Sequence, residues 1–342
     1  MLNLPKIKVA AVQSSPVFLD TAATVEKVCA LTADAAAKGA HLVAFPEVFV
    51  AGYPYWNWIM TPVEGSPWFE KLCRSAIEIP GPEIQRIARA AARHNVHVVI
   101  GVNERNPLGM ATLYNTLVFI SPEGKLLGRH RKLVPTWAEK LTWAHGDGAS
   151  LRVYDTPLGR LGGLACGENT NTLARFSLLA QGEQLHVASY IALPVAPPDY
   201  DMAEAIKVRA MAHCFEGKVF TVVSCSTISE DIIQTFAASH PQSEALLRRK
   251  NSAFSGIIGP DGRMVGETLI DIEGIVCAEV DLARCLQPRQ MHDITGHYNR
   301  FDVFDLRVNR RPQQAAQFLN DGPAPALEFD DAPGKPGPDG AE

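Results

Sequence analysis

The chain has 342 residues, 46% of them hydrophobic, with 37 acidic against 32 basic side chains and a formal net charge of −5. That length and apolar content suffice for a substantial core, in one large domain or two, while the acidic balance and scattered Lys and Arg argue against a nucleic-acid surface. No apolar run approaches the roughly 18 residues that a membrane span requires, which argues against a membrane partner.

Residues 7–13 (IKVAAVQ) are a short apolar run suited to a buried strand, residues 21–38 an Ala-rich helix closed by Gly39, and residues 41–45 (HLVAF) a second strand. Strand, helix, strand in that order points to an α/β layered structure. Pro46 and Glu47 stand at the exit of the second strand, with a carboxylate at its tip. Residues 52–58 (GYPYWNW) then bring four aromatics into seven residues, readable as a pocket wall or as core filling. Residues 82–94 are a helix led by Pro, with Ile84, Ile87, Ala88 and Ala91 on one face. Residues 96–101 and 113–120 are strands.

Two stretches, ISPEGK at 120–125 and IGPDGR at 258–263, carry the same turn chemistry between apolar runs. They predict two matching hairpins, and so two similar halves packed sheet on sheet. The basic cluster RHRK at 129–132 comes after the first and reads as a solvated face or as the source of one functional cation. Residues 151–156 and 160–165 are strands about a turn at 157–159. The second of these ends at Cys166, where Asn169 and Thr170 precede Leu173, Ala174, Leu178 and Leu179 at helical spacing, predicting a helix to residue 181. A thiol at that junction meets unpaired N–H groups and the positive end of the helix dipole, which favour thiolate. Free cysteine is also among the most buried residue types, so a structural role stands beside the reactive one.

A strand at 184–190, a helix at 202–218 and a strand at 219–224 continue the alternation. Residues 227–251 are polar and read as a loop insertion with room for a short helix; 252–258 and 274–280 are the last strands. From Arg311 the composition turns to Pro, Gly, Ala and Asp, a tail unable to bury enough apolar surface for one conformation, although Phe318, Leu319, Leu327 and Phe329 could dock on a neighbour. The division is therefore a folded domain over 1–308 and a tail over 309–342. Seven cysteines without a C-x-x-C pair, and no charged-then-apolar leader before Ile7, predict a reduced, cytoplasmic protein. None of the ten histidines stands at a convincing metal spacing.

Glu47, Lys132 and Cys166 together match a chemical need. A nucleophilic thiol requires a base, and a carboxylate with a raised pKa can take its proton and later activate water. Charge developing on a substrate heteroatom requires a cation and N–H donors, for which Lys132 and the backbone of Gly167 are candidates. The chain contains no G-x-S-x-G elbow, G-x-G-x-x-G fingerprint or P-loop.

Phe45-Pro46-Glu47, then His130-Arg131-Lys132-Leu133 with Pro135-Thr136, then Cys166 followed by Glu168-Asn169 resemble, in order and spacing, the three signature blocks of the nitrilase superfamily. The resemblance runs from about Lys6 to Asp302. It implies a four-layer α-β-β-α sandwich of two mixed sheets flanked by helices, and a Glu, Lys, Cys triad attacking a carbon–nitrogen bond without metal or cofactor. Glu139, in WAEKLTW ahead of Gly146-Asp147-Gly148, matches the family's second active-site glutamate. The aromatic block, the Gly-Asp-Gly and His297-Tyr298 are similar to the nitrilase branch, whose chemistry is hydrolysis of a small nitrile to acid and ammonia through a thioimidate and a thioester. On this reading Tyr53, Trp56, Trp137 and Tyr190 line the substrate pocket, and the protein is a homo-oligomer of dimers that extend into larger or spiral assemblies. Gly167 stands where that branch usually has Trp, and Thr172 where proline is frequent; the missing indole predicts a looser pocket floor. The alternatives are an amidase with the same triad and a non-catalytic assembly protein.

Overall fold

The alternation of apolar residues in the first strand sends its side chains into two different cores. Ile7, Val9 and Ala11 join one buried cluster, Ala10 and Val12 another, as the two-residue period of a pleated strand requires. The computed structural model describes residues 4–197 and 199–316. Its strands in chain order are β1 (Lys6–Gln13), β2 (Leu42–Ala44), β3 (His97–Arg105), β4 (Leu113–Ile120), β5 (Leu126–Arg131), β6 (Tyr154–Thr156), β7 (Gly159–Ala165), β8 (Leu185–Tyr190), β9 (Phe220–Cys225), β10 (Phe254–Ile258), β11 (Met264–Ile270) and β12 (Gly274–Asp281). Among the described residues they form two six-stranded mixed sheets, ordered β12-β1-β2-β3-β4-β5 and β11-β10-β9-β8-β7-β6.

Each sheet repeats one pattern. An antiparallel edge strand, β12 or β6, flanks three parallel strands, β1-β2-β3 or β7-β8-β9, and an antiparallel hairpin, β4-β5 or β10-β11, completes the sheet. The two echoed turns close those hairpins alike, with Ser121 N–H on Lys125 O at 2.9 Å and Gly259 N–H on Arg263 O at 2.8 Å. Gly124 and Gly262 take the positive φ, 73° and 75°, that the turns need.

The helices are α1 (Thr21–Ala37), α2 (Trp56–Ile59), α3 (Pro62–Ser75), α4 (Pro82–His94), α5 (Thr172–Leu179), α6 (Met202–Gly217), α7 (Glu230–Ala237), α8 (Ser243–Leu247) and α9 (Leu286–Arg289). Val25 and Val28 of α1 and Ile84 and Ile87 of α4 pack on Val43, Val98 and Val118 of the first sheet. Ile206, Ala210 and Cys214 of α6 cover Ala188, Val223 and Phe254 of the second. Between the sheets Val9, Leu42, Val99 and Phe119 meet Leu161, Leu185, Phe220 and Ile257. Each fully buried Val, Leu or Phe of that layer contributes roughly 1.5–3 kcal/mol, which holds the sheets face to face. The layers are therefore α-β-β-α.

Several elements differ from the sequence reading. α3 is absent from it because few of its residues are buried, Gly65 and Leu72, and the helix starts on a capping box between Thr61 and Glu64 with Pro62 in its first turn. The insertion at 227–251 holds two helices, α7 capped by Ser229 with Ile232, Ile233 and Phe236 buried, and α8. β11 is a largely exposed edge strand without a clean alternation. Met1–Arg311 form one unit; of the second, Pro312–Glu342, only 312–316 are described, exposed and irregular. Phe318, Leu319, Leu327 and Phe329 lie outside the described residues.

Candidate active site

Glu47 lies just beyond β2 in a turn that presses against β3. A Cβ on Gly101 would sit 2.5 Å from the Glu47 Cα, so only glycine permits the approach. Gly101 N–H donates to Pro46 O at 3.0 Å, and Glu47 N–H donates to Tyr190 O at 3.2 Å, at the end of β8 in the other sheet. Ser189 Oγ donates to Phe45 O at 2.9 Å beside it. The carboxylate is thus pinned where the two sheets meet. Lys132 comes just after β5, its N–H on Asn115 O at 2.8 Å and its carbonyl accepting from Gly146 N–H at 2.9 Å.

The fully buried Lys132 ammonium lies between two carboxylates, 2.8 Å from Glu47 Oε1 and 2.7 Å from Glu139 Oε2. Glu139 is held in a one-turn 3₁₀ helix, Trp137–Leu141, where Oε2 also accepts from Thr136 N–H at 2.7 Å and Oε1 from the Tyr53 hydroxyl at 3.1 Å. Asn115 Nδ2 donates to Glu47 Oε1 at 2.6 Å. Glu47 Oε2 is buried without a hydrogen-bond partner among the described residues. Burial, with the Glu139 charge behind it, raises the Glu47 carboxyl to about 7 against the opposing pull of Lys132. Burial alone would lower the Lys132 pKa, but the charges of Glu139 and Glu47 reverse this and hold it well above its ordinary value.

Cys166 directly follows β7 and takes φ 47°, a left-handed conformation unusual for a side chain of this kind. Burial first, then the Glu47 charge, push its thiol well above the ordinary cysteine value, while Lys132 pulls the other way. The direction is the opposite of the helix-dipole expectation of a favoured thiolate. Cys166 opens a 3₁₀ turn, Cys166–Thr170, and α5 begins only after its own cap, Asn171, so the long helix predicted from Asn169 is broken. In that setting desolvation outweighs the partial charge of a short turn.

A family model for carbon–nitrogen hydrolases matches residues 8–290. The chain belongs to the carbon–nitrogen hydrolase family. It is 37% identical over 308 residues to an aliphatic nitrilase of Rhodococcus rhodochrous, covering 89% of this chain and 83% of that one. It is 35% identical over 306 residues to a nitrilase of Paraburkholderia phymatum, covering 90% and 87%. These relatives place it in the nitrilase branch of the superfamily. The fold is shared with the C. elegans NitFhit protein, at TM-score 0.68 and 18% identity over 91% of this chain and 69% of that one.

Within this hydrolase the expected pocket residues separate. Tyr53 is buried and its hydroxyl binds Glu139. Tyr190 is buried in the cluster that contains Cys166, its hydroxyl without a partner among the described residues. Trp56 is placed elsewhere, stacked on Trp68 at 6.2 Å and edge-on to Phe18 at 6.5 Å, in the core under α2 and α3. Trp137 is 70% exposed, its ring edge-on to Trp58 at 5.4 Å. Trp58 Nε1 in turn donates to the Tyr53 hydroxyl at 3.0 Å, so a relay leads from the surface to Glu139. Trp56→Ala is therefore expected to destabilise the fold by about 3–5 kcal/mol without changing the KM of folded enzyme. Trp137→Ala should raise KM and leave the melting temperature unchanged, a contrast read by thermal melts beside steady-state kinetics.

At Gly167 a Cβ would lie 2.9 Å from Thr136 Oγ1, so Thr136 packs against that side of the turn. Sequence reasoning missed Asn115, which stands inside an ordinary strand pattern and offers no signal. It also took His130 and Glu168 only as markers. They form a buried clamp: the Glu168 carboxylate accepts from Ala165 N–H at 3.1 Å, Leu133 N–H at 2.9 Å and His130 Nε2 at 2.9 Å, tying the Cys166 strand to the Lys132 loop. A charged side chain two residues beyond the cysteine was the available sign.

Proposed function

We propose that this protein is a nitrilase that converts an organic nitrile and two waters to the carboxylic acid and ammonia, with Cys166 as nucleophile. The observation that carries the reading is the Lys132 ammonium shared by Glu47 and Glu139 at 2.8 and 2.7 Å, with Glu47 Oε2 left unbonded and the charges of all three acting on the buried Cys166 thiol. Glu47 takes the thiol proton as sulfur attacks the nitrile carbon. That is a general-base role suited to a carboxyl raised to about 7. Lys132 and the Gly167 N–H, which has no intrahelical acceptor in the first turn, stabilise the negative nitrogen until it is protonated to a thioimidate. Water activated by Glu47 adds to that carbon and ammonia leaves, giving a thioester; a second water releases the acid and restores the thiol. Glu139 and Tyr53 hold Lys132 in place.

Ammonia and acid release, measured separately over a panel of nitriles and their amides, tests the reading. Acid and ammonia from a nitrile support it; turnover of amides alone would make the protein an amidase with the same residues, and no turnover of either would leave an assembly role. The kcat/KM for a nitrile is expected to rise with pH through about 7, since only the Glu47 carboxylate accepts the thiol proton. A flat profile between about pH 5.5 and 8.5 would remove Glu47 as the base.

We also infer a homo-oligomer in a reducing, cytoplasmic compartment. Val208, Met211 and Phe215 expose apolar surface along α6, and all seven cysteines are free thiols. No described helix is long and apolar enough to cross a membrane. Sedimentation velocity of the wild type beside Phe215→Asp reads the assembly.

A further inference from the structure

Behind the nucleophile lies a second buried polar cluster that the chemistry above does not use. Asn169, three residues after Cys166, donates through Nδ2 to Cys166 O at 3.1 Å and to Leu164 O at 3.2 Å. Those two carbonyls fix which end of the amide faces where, so Asn169 Oδ1 must face His186 Nε2, 2.9 Å away on β8. His186 Nε2 therefore carries a hydrogen and donates it. His186 Nδ1 lies 2.7 Å from Glu183 Oε1, and Glu183 Oε2 accepts from His213 Nε2 of α6 at 2.9 Å. All three side chains are fully or almost fully buried. The His186 and His213 bonds outweigh burial and hold the Glu183 carboxyl down at about 2.

The same three side chains are close enough to grip a cation. Their facing atoms are instead spent on one another at hydrogen-bond distance, and Glu183 Oε1 packs so closely over Gly162 that no Cβ fits there. The His213 Nδ1 on the far side has no partner among the described residues. The chain of bonds has one outlet toward chemistry, the Cys166 carbonyl.

We propose that His186 is a positioning residue that, through Asn169, locks the left-handed turn of Cys166 and so aims its sulfur. The strained φ of 47° at Cys166 needs neighbours that over-determine it, and the Asn169 amide clasps the carbonyls on either side of the Ala165–Cys166 unit. Glu183 orients the imidazole as a carboxylate orients a histidine in a catalytic relay, but here the output is backbone geometry rather than a proton. The proposal rests on Cys166 being the nucleophile.

The test uses two substitutions that each keep one of the two ring contacts. The amide of His186→Gln reaches the place of Nε2 and retains the bond to Asn169; that of His186→Asn reaches the place of Nδ1 and retains only the bond to Glu183. His186→Asn is expected to lower kcat by about tenfold or more with KM little changed, while His186→Gln restores kcat to within about threefold of wild type. Alkylation of Cys166 by iodoacetamide, followed by mass spectrometry, should slow in His186→Asn and recover in His186→Gln. That readout needs no nitrile, so it decides the proposal even if the nitrilase reading fails. Asn169→Ala cuts the link at its other end and must reproduce the kcat loss, which covers a His186→Asn variant that does not fold. His213→Gln, which disturbs the same carboxylate from the far side, should leave kcat unchanged. Equal losses in both His186 variants that merely follow their melting temperatures, or a stoichiometric metal whose removal from the native protein abolishes activity, would overturn it.

Discussion

Cys166→Ala is expected to abolish nitrile turnover, a loss on the order of 10⁶-fold that returns the rate to background, while the protein stays folded. The substitution removes one sulfur from a site that is 5% exposed and leaves the backbone turn at φ 47° to an alanine, which tolerates that conformation no worse than cysteine does. Stability should move by only about 1–2 kcal/mol, as for a small cavity beside a polar cluster. No other thiol of that buried cluster is expected to substitute, because Cys214 Sγ is hydrogen-bonded to Thr221 Oγ1 at 3.0 Å and to Ile258 O at 3.5 Å and Cys225 is fully buried at the end of β9, whereas the Lys132 and Glu47 charges both act on Cys166. Cys29, half-buried on α1, supplies the control: Cys29→Ala should leave turnover intact. Turnover assays with circular dichroism, and mass spectrometry for a substrate adduct on Cys166, read the outcome. A folded Cys166→Ala protein that hydrolyses nitrile at the wild-type rate would remove the nucleophile and, with it, the mechanism.

Lys132→Met should carry the second-largest effect, on both activity and stability. Without the ammonium, Glu47 and Glu139 face a shared buried space as two carboxylates with no cation between them. Breaking a buried pair in this way costs about 3–5 kcal/mol, because the remaining charge is left uncompensated, and loss of the cation that meets the developing nitrogen charge should lower kcat by roughly 10³-fold or more. The pH dependence has a definite sign. The Lys132 pKa is raised in the fold, so its contribution is complete below the unfolded lysine value and is lost only as pH climbs through the folded one; across neutral pH it is fully present. In the variant, stability should therefore recover as pH falls and a carboxylate takes up a proton, so urea unfolding at pH 8 shows a larger deficit than at pH 5.5. Adding Glu139→Gln should restore much of the stability and none of the activity. A Lys132→Met protein as stable as wild type at pH 8 would mean that the two carboxylates never bear charge together.

How much of this was readable in the chain depends on the range of the interaction. α4 is readable to the residue, Pro82–His94, because a first-turn proline, an apolar face and the left-handed cap Asn95 are all local. The paired turns near Gly124 and Gly262 are readable for the same reason. α3 and β11 are not, since one buries few side chains and the other is an edge strand, and neither writes a strong period. Trp56 and Trp137 show the limit within a single residue type: one is core, the other surface, and the aromatic block alone does not distinguish them.

By itself the sequence determined the layered α/β class, the repeated hairpins and the three blocks that carry Glu47, Lys132 and Cys166, because strand exits, turns and motif spacing are properties of neighbouring residues. Tertiary structure alone decided that burial raises the Glu47 carboxyl to about 7 and pushes the Cys166 thiol up, and that Asn115, Tyr53 and the Glu183–His186–Asn169 chain stand behind them. Asn115 is 68 residues from Glu47 in the chain and Tyr53 86 from Glu139. Charge, desolvation and hydrogen bonding act through distances of a few ångströms in space, and those distances exist only once both sheets have closed around the site.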